Sequence, residues 1–127
     1  MTGWSLLAVF VGGGLGSVGR FSISKLVIYI GAASGKFPLA TFVSNVLACL
    51  VMASLLYFGS RYKSWGETTQ LFWLVGFCGG FSTFSTFSYE NWILLKQGMG
   101  MMALLNVLVS LAMCGLVFFA AFKWLPK

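Results

Sequence analysis

The stretch that decides the fold is Gly79-Gly80-Phe81-Ser82-Thr83-Phe84-Ser85-Thr86-Phe87-Ser88, in the middle of a long apolar segment. Two glycines open it, and phenylalanine, serine and threonine then recur at every third position. A simple membrane anchor would carry leucine, isoleucine and valine here. Backbone that leaves the helix at membrane depth survives only where it is buried in protein or lines a cavity. The stretch therefore predicts a helix broken at Gly79-Gly80, with a functional site beside the break.

The rest of the chain has the composition of a membrane protein. Of its 127 residues, 59% are hydrophobic and 8% are charged, whereas a soluble domain carries about 25% charged residues. Four apolar blocks, at 4–30, 39–58, 71–95 and 101–122, each reach the roughly 20 residues that cross about 30 Å of hydrocarbon. Because these blocks leave no room for a soluble domain, we predict a single all-α membrane domain of four transmembrane helices.

Charged and metal-binding side chains argue against several function classes. The net charge is +6, but lysine and arginine are scattered between the apolar blocks, where flanking residues meet lipid headgroups, so no nucleic-acid partner is expected. There is no histidine, and Cys49, Cys78 and Cys114 fall in three different blocks without the spacing of metal ligands. Serine or cysteine nucleophiles would lack an ordinary base, so an enzyme is not expected.

The first block contains a cluster of small residues at three- and four-residue spacing, namely Gly12, Gly13, Gly14, Gly16 and Gly19. Such spacing lets helix backbones approach closely, so we expect this cluster to pack against another helix. Arg20 lies in the same apolar run and has two interpretations. Either the first helix ends early and the arginine reaches the membrane interface, or its side chain faces a water-filled cavity.

Asn45 stands out in the second block, about a third of the way along an otherwise apolar helix. An amide in lipid is costly unless it is hydrogen-bonded. Asn45 either joins two helices or lines a pore as a hydrogen-bond donor, and the sequence leaves both open.

The three-residue repeat places two kinds of group on neighbouring faces of a helix. A step of three residues turns about 300°, so Phe81, Phe84 and Phe87 form a drifting stripe of rings beside a stripe of hydroxyls. One interpretation is ordinary packing, with rings in the core and hydroxyls bonded to carbonyls one turn back. Alternatively, positive ring edges and hydroxyl donors would replace the hydration shell of a small anion without a fixed cation. Carbonyls freed at the break would suit a cation.

Three segments resemble the Fluc (CrcB) family of fluoride channels, over essentially the whole chain. They are GGFSTFSTFSYE in the third block, TFVSNVLACL around Asn45, and GGGLGSVGR in the first block. The resemblance implies a passive, fluoride-selective channel that exports fluoride across the bacterial cytoplasmic (inner) membrane and gives fluoride resistance. It also implies an antiparallel, dual-topology homodimer with two pores.

The resemblance further implies roles for individual residues. The fluoride pore would be lined by Asn45, Phe84, Phe87, Ser85, Thr86, Ser88 and Ser110. The backbone carbonyls of Gly79 and Ser82 would hold a structural sodium ion (Na+) at the dimer interface. Further polar residues match family positions in the pore or its vestibule: Arg20, Glu90 and Asn106.

The distribution of positive charge permits insertion in both orientations. If the helices cross alternately, one side of the membrane collects Arg61, Lys63, Lys123 and Lys127. The other side collects Lys25, Lys36 and Lys96, with Arg20 unassigned. The positive-inside rule then gives almost no bias.

Two other classes are alternatives to a channel. A small multidrug-resistance-type exporter also has four helices and dual topology, but it needs a carboxylate in its first helix, where this chain has Arg20. A structural membrane subunit would use its polar residues only to join helices.

Overall fold

The structure, a computed structural model, describes residues 3–62 and 65–124, including the side chains of all of these except residues 34, 61, 62 and 124. We number its helices α1 (Gly3–Tyr29), α2 (Leu39–Tyr62), α3 (67–81), α4 (Phe84–Lys96) and α5 (Gly100–Trp124). A short 3₁₀ turn, Ala32–Ser34, connects α1 to α2. The described part of the chain is thus organised entirely by helices.

The prediction of an all-α fold with four transmembrane helices is confirmed at this level. Four segments are long and apolar enough to cross a membrane: Gly3–Tyr29, Leu39–Ser60, Glu67–Lys96 and Gly100–Lys123. α2 continues past the predicted end at Phe58, and the third span begins at Glu67 rather than at Leu71. Polar residues at both places continue the helix beyond its apolar part.

The third span is broken, but the predicted break at Gly79-Gly80 is wrong. Gly79 has helical backbone angles (φ −65°, ψ −37°), and the N–H of Ser82 still donates to the carbonyl oxygen of Cys78 at 3.0 Å. The chain leaves the helix at Ser82 and Thr83, which are both extended (ψ 159° and 113°). Because the span Glu67–Lys96 has 30 residues, this break lies at its middle.

α3 reaches the break through three kinds of turn. It begins with the α-helical residues Glu67–Gln70, widens into a π-helical segment at Leu71–Cys78, and closes with an α-helical turn at Gly79–Phe81. A π-helix pairs each residue with the fifth along the chain rather than the fourth. Both the wide segment and the closing turn pack against α1.

The glycines of both helices serve this packing. A Cβ added at Gly80 would collide with the carbonyl oxygen of Gly13, and one added at Gly16 would collide with the carbonyl oxygen of Phe77. A Cβ at Gly76 would lie 2.9 Å from a backbone oxygen of α1. The prediction that the small-residue cluster of the first block packs against another helix is confirmed for Gly12, Gly13, Gly16 and Gly19, but not for Gly14. The close contact with Gly13 explains why residue 80 is a glycine, and no helix break is needed to explain it.

Candidate functional site

The helix break is organised by Asn45 and Thr83. Asn45 lies on α2, and its Oδ1 accepts a hydrogen bond of 2.9 Å from the backbone N–H of Thr83. Thr83 is also the N-cap of α4, because its Oγ1 accepts from the N–H of Thr86 at 3.3 Å. Both bonds satisfy N–H groups that a helix terminus leaves without intrahelical partners. Asn45 therefore joins α2 to α4, and its NH₂ group remains a possible donor to a ligand.

Hydroxyl groups gather at the start of α4. Thr83 Oγ1 donates to Thr86 Oγ1 at 3.0 Å and lies 3.3 Å from the Oγ of Ser85. Since each hydroxyl carries a single proton, the bond from Thr83 leaves the proton of Thr86 free to donate. Three hydroxyls of the repeat thus contact each other around Thr83. In contrast, the hydroxyls of Ser22, Ser44 and Ser54 donate to carbonyls one turn back.

A cavity of about 420 Å³ extends from the α1–α2 connection to the helix break. Gly35 and Lys36 line it at the connection, and Thr83 and Thr86 line it at the break. Its charged lining residues are Arg20, Lys36 and Glu90. The N-terminus of α4 adds positive potential at the inner end, because a helix dipole favours anions there. The cavity therefore has the donors and the charge to accept a small anion.

Arg20 faces this cavity. α1 continues past it to Tyr29, so the interpretation in which the first helix ends early at Arg20 is wrong. The Nε of Arg20 donates to the carbonyl oxygen of Gly80 at 3.4 Å, which ties the arginine to the last turn of α3. Ser24, one turn further along α1, lines the same cavity. Of the two interpretations of Arg20, the structure supports the cavity.

Glu90 is held at the cavity wall by α2. Thr41 Oγ1 donates to Glu90 Oε1 at 2.7 Å, and Thr41 itself is buried. Within the described residues, Glu90 Oε2 is buried without a hydrogen-bond partner. Buried oxygens of this kind are uncommon in native proteins and frequently have a functional explanation. Glu90 is therefore a candidate for the site rather than a surface charge.

The three rings of the repeat lie in different environments. Phe81 is 8% exposed and stacks on Phe77 with ring centroids 5.6 Å apart, so this ring belongs to the packing between helices. Phe84 is 80% exposed on the outside of the chain. Phe87 is half-buried, and its ring centroid lies 6.1 Å from that of Phe84. Phe84 and Phe87 thus form a ring pair separate from the core.

The predicted pore residues do not converge on one surface of a single chain. Thr86 faces the cavity, whereas Ser85 and Ser88 are exposed beside Phe84. Ser110 and Asn106 on α5 are buried, and the hydroxyl of Ser110 donates to Asn106 Oδ1 at 3.3 Å. The structure therefore divides these residues between the cavity, the outer face of α4 and the interior.

Two backbone carbonyls at the break have lost their helical donors. In an unbroken helix the N–H of Thr83 would donate to Gly79 and that of Thr86 would donate to Ser82. Instead these N–H groups donate to Asn45 Oδ1 and Thr83 Oγ1. Gly79 is exposed, and a Cβ added there would meet nothing within 4 Å. The carbonyl oxygens of Gly79 and Ser82 are thus available as cation ligands.

Sequence reasoning missed three residues that shape the site. Thr83 caps α4, and the signal for it was a threonine three residues before Thr86 at the start of a helical segment. Thr41 binds Glu90 from 49 positions away, and Asn91 accepts a hydrogen bond from Asn106 on α5. Local sequence gives no signal for such long-range pairs.

Comparison with known proteins covers most of the chain. The family described as "CrcB-like protein, Camphor Resistance (CrcB)" matches residues 7–122. A protein of Serratia proteamaculans (strain 568) named "Fluoride-specific ion channel FluC" is 44% identical over 108 residues, which are 85% of this chain and 83% of the relative. A protein of the same name from Pyrococcus abyssi (strain GE5 / Orsay) is 39% identical over 109 residues, 82% of this chain and 81% of the relative.

A third relative gives the same result. The "Fluoride-specific ion channel FluC" of Azobacteroides pseudotrichonymphae genomovar. CFP2 is 39% identical over 106 residues, which are 84% of this chain and 83% of the relative. The matched region contains the second and third spans, nearly all of the first and fourth, the helix break and the cavity residues. By this match the chain belongs to the CrcB-like protein family.

Proposed function

We propose that this protein is a passive, fluoride-selective ion channel that exports fluoride across the cytoplasmic membrane and so gives fluoride resistance. The observation that carries the proposal is the helix break at the middle of the third span, where Thr83, Thr86 and Arg20 meet at a cavity. The relatives named as fluoride-specific ion channels support the same function.

The chemistry of the break suits a small, strongly hydrated anion. Neutral hydrogen-bond donors would replace water around fluoride. They are the hydroxyl of Thr86, the NH₂ group of Asn45 and the first N–H groups of α4. Ring edges of Phe84 and Phe87 are weakly positive and would complete the shell. The positive charge of Arg20 would attract anions into the cavity. Neutral donors bind weakly enough for the ion to leave.

Passive flow is sufficient for export. An interior-negative potential is worth about 2.3 kcal/mol per charge per 100 mV. At about 1.36 kcal/mol per factor of ten, 100 mV would expel a monovalent anion to a gradient of roughly 50-fold. The proposed activity needs no chemical step, so no catalytic residue is assigned.

The complete pore would require two copies of the chain in opposite orientations. Phe84, Ser85 and Ser88 are exposed on the outer face of α4, where a second copy would enclose them. In an antiparallel homodimer the assigned pore residues Asn45 and Phe87 would meet these groups from the partner. The near-even charge count supports dual topology, although Lys63 and Lys127 lie outside the described residues.

A sodium ion would hold the centre of this dimer. The carbonyl oxygens of Gly79 and Ser82 lack their helical donors, and two copies would supply four such oxygens. Oxygen ligands suit hard cations, and neutral carbonyls without carboxylates favour a monovalent ion over calcium. The exposed position of Gly79 supports an ion shared between protomers.

Cell growth and side-specific labelling test the proposal. Expression in cells that lack a fluoride export system should restore growth in fluoride, and Asn45→Asp should not. A cysteine-free variant with one cysteine at the C-terminus should be labelled by an impermeant reagent from both sides of the membrane. Labelling from one side would contradict dual topology while leaving the channel function standing. Growth that is not restored by wild-type protein present in the membrane would contradict the function itself.

A further inference from the structure

A chain of hydrogen-bonded side chains joins α5 to α4 one turn beyond Phe87. Ser110 Oγ donates to Asn106 Oδ1 at 3.3 Å, and Asn106 Nδ2 donates to Asn91 Oδ1 at 3.1 Å. Asn91 Nδ2 then donates to the carbonyl oxygen of Phe87 at 2.8 Å. We call Ser110, Asn106 and Asn91 the α5–α4 relay. All three donors point the same way, from α5 towards the backbone of α4.

The two relay residues on α5 are buried inside the chain, and Asn91 on α4 is half-buried. Asn106 is 1% exposed and is among the largest fully buried side chains, and Ser110 is 7% exposed. A buried amide is costly unless it is hydrogen-bonded, and here each donor finds an acceptor. The relay is therefore a satisfied polar connection between two helices whose other residues are mostly apolar.

Ser110 sets the orientation of the Asn106 amide. Its hydroxyl has one proton, which is donated to the carbonyl side of Asn106, so the NH₂ side faces Asn91. While this bond is made, Ser110 has no proton to donate to a passing ion. A role for Ser110 as a direct fluoride donor would require the relay to open.

α4 is held by polar side-chain contacts on either side of Phe84 and Phe87. It is separated from α3 by the extended residues Ser82 and Thr83, so no continuous helix fixes its rotation. Asn45 on α2 binds the N-terminus of α4, because its Oδ1 accepts from the N–H of the N-cap residue Thr83. Asn106 on α5 binds it again through Asn91, four residues and so one turn after Phe87. These contacts, together with the bond from Thr41 on α2 to Glu90, fix both the position and the rotation of α4.

We propose that Asn91 and Asn106 are positioning residues that hold Phe87 in the ion path, with Ser110 orienting the Asn106 amide. This inference rests on the proposed fluoride channel function. It assigns Asn106 and Ser110 an inward role, in contrast to the pore-lining role that the family resemblance implies. Phe87 contacts the ion, and the relay acts on the ion only through the backbone of α4.

The decisive variants replace the relay amides by leucine, which has nearly the same shape. Asn106→Leu alone leaves Asn91 Oδ1 without its donor, so both the melting temperature and the fluoride flux should fall. In Asn91→Leu/Asn106→Leu no buried amide is left unpaired, and the Ser110 hydroxyl can donate to a backbone carbonyl one turn back instead. The melting temperature should therefore return close to wild type. Fluoride efflux from liposomes should nevertheless stay at least about tenfold below wild type, because Phe87 is no longer held. The ratio of fluoride to chloride flux should fall as well.

A stable double variant with wild-type flux and wild-type selectivity would overturn the proposal, because the relay would then serve folding only. Wild-type protein is measured in the same liposomes. If it carries no fluoride, the channel function fails and the relay proposal falls with it. If it carries fluoride and the double variant does so equally, the relay proposal alone fails.

Ser110→Ala keeps the test decisive if the leucine variants do not fold. It should lower fluoride flux severalfold, whereas the control Ser54→Ala should not, because Ser54 donates only to the Leu50 carbonyl of its own helix. Equal flux for these two alanine variants would contradict the orienting role. Added to the double leucine variant, Ser110→Ala should cause no further loss. A further loss of the same size would assign the hydroxyl to the ion and overturn the proposal.

Discussion

Asn45 Oδ1 on α2 accepts a hydrogen bond of 2.9 Å from the backbone N–H of Thr83, 38 positions further along the chain. In an unbroken helix this N–H would donate to the carbonyl oxygen of Gly79. The side-chain amide of Asn45 thus bonds the N–H at the start of α4 and leaves the carbonyl oxygen of Gly79 in α3 without its helical donor. The break, the proposed anion-binding end of α4 and the proposed cation site all depend on this contact.

Substitutions of Asn45 should separate its two roles. Asn45→Asp keeps an oxygen for the N–H of Thr83 but loses the NH₂ donor and adds negative charge to the path. We expect the melting temperature to stay near wild type while fluoride flux falls by more than tenfold. Asn45→Leu should lose both the oxygen acceptor and the NH₂ donor. The unpaired N–H of Thr83 should then lower stability by about 1–3 kcal/mol. Thermal unfolding and liposome flux of the same preparations measure the two effects. Full flux in Asn45→Asp would show that the donor is not used.

The ring pair gives a test with an internal control. Phe84→Leu and Phe87→Leu keep most of the apolar bulk but remove the positive ring edge, so flux should fall far more than stability. Each swap should change stability by on the order of 1 kcal/mol. Phe81→Leu is the control, because this ring packs on Phe77 inside the chain. It should lower stability and leave flux in the folded fraction unchanged. If Phe84→Leu and Phe87→Leu conduct like wild type, the rings belong only to packing.

The sequence predicted the four spans because each is a long apolar run, and length and hydropathy decide whether a helix crosses a membrane. It did not predict where the third span breaks. The pair Gly79-Gly80 suggested a break, but Gly80 is a glycine because Gly13 of α1 lies against it. The actual break depends on the hydrogen bond from the N–H of Thr83 to the distant amide of Asn45. A contact between residues 38 positions apart produces no pattern in the local sequence.

The site residues also divide into those that the sequence singled out and those that only the structure showed. Phe84, Thr86 and Asn45 stood out because rings, hydroxyls and an amide are unexpected in lipid. Thr41 and Asn91 did not, since their importance lies in partners 49 and 15 positions away. Residues unusual for their surroundings were readable from the sequence, whereas those defined by a distant partner required the structure.

Glycine contacts between α1 and α3 should be sensitive to a single methyl group. Gly80→Ala places a Cβ against the carbonyl oxygen of Gly13, where backbone cannot yield easily. We expect a stability loss of about 1–3 kcal/mol, typical of overpacking. Gly14→Ala is the matched control, because a Cβ there meets nothing within 4 Å. It should be neutral or slightly stabilising, since alanine favours helices. Thermal unfolding in detergent that ranks the two variants equally would contradict the packing described.

The proposed sodium site predicts a cation dependence of the dimer. Raising sodium concentration should raise the melting temperature of the purified dimer, because a ligand that binds only the assembled state stabilises it by mass action. Choline at equal ionic strength should not. Gly79→Val places a branched side chain beside the carbonyl ligands and should abolish the sodium effect. A melting temperature that is the same in sodium and in choline would contradict the site.

Fluoride efflux from liposomes that contain only the purified protein tests the central claim most directly. Liposomes loaded with equal fluoride and chloride are diluted into medium without either ion, and a potassium ionophore balances the charge without a proton gradient. The account predicts rapid fluoride efflux, with chloride retained at the level of protein-free liposomes. Fluoride retained as in protein-free liposomes, or released only when a proton gradient is imposed, would contradict a passive fluoride channel.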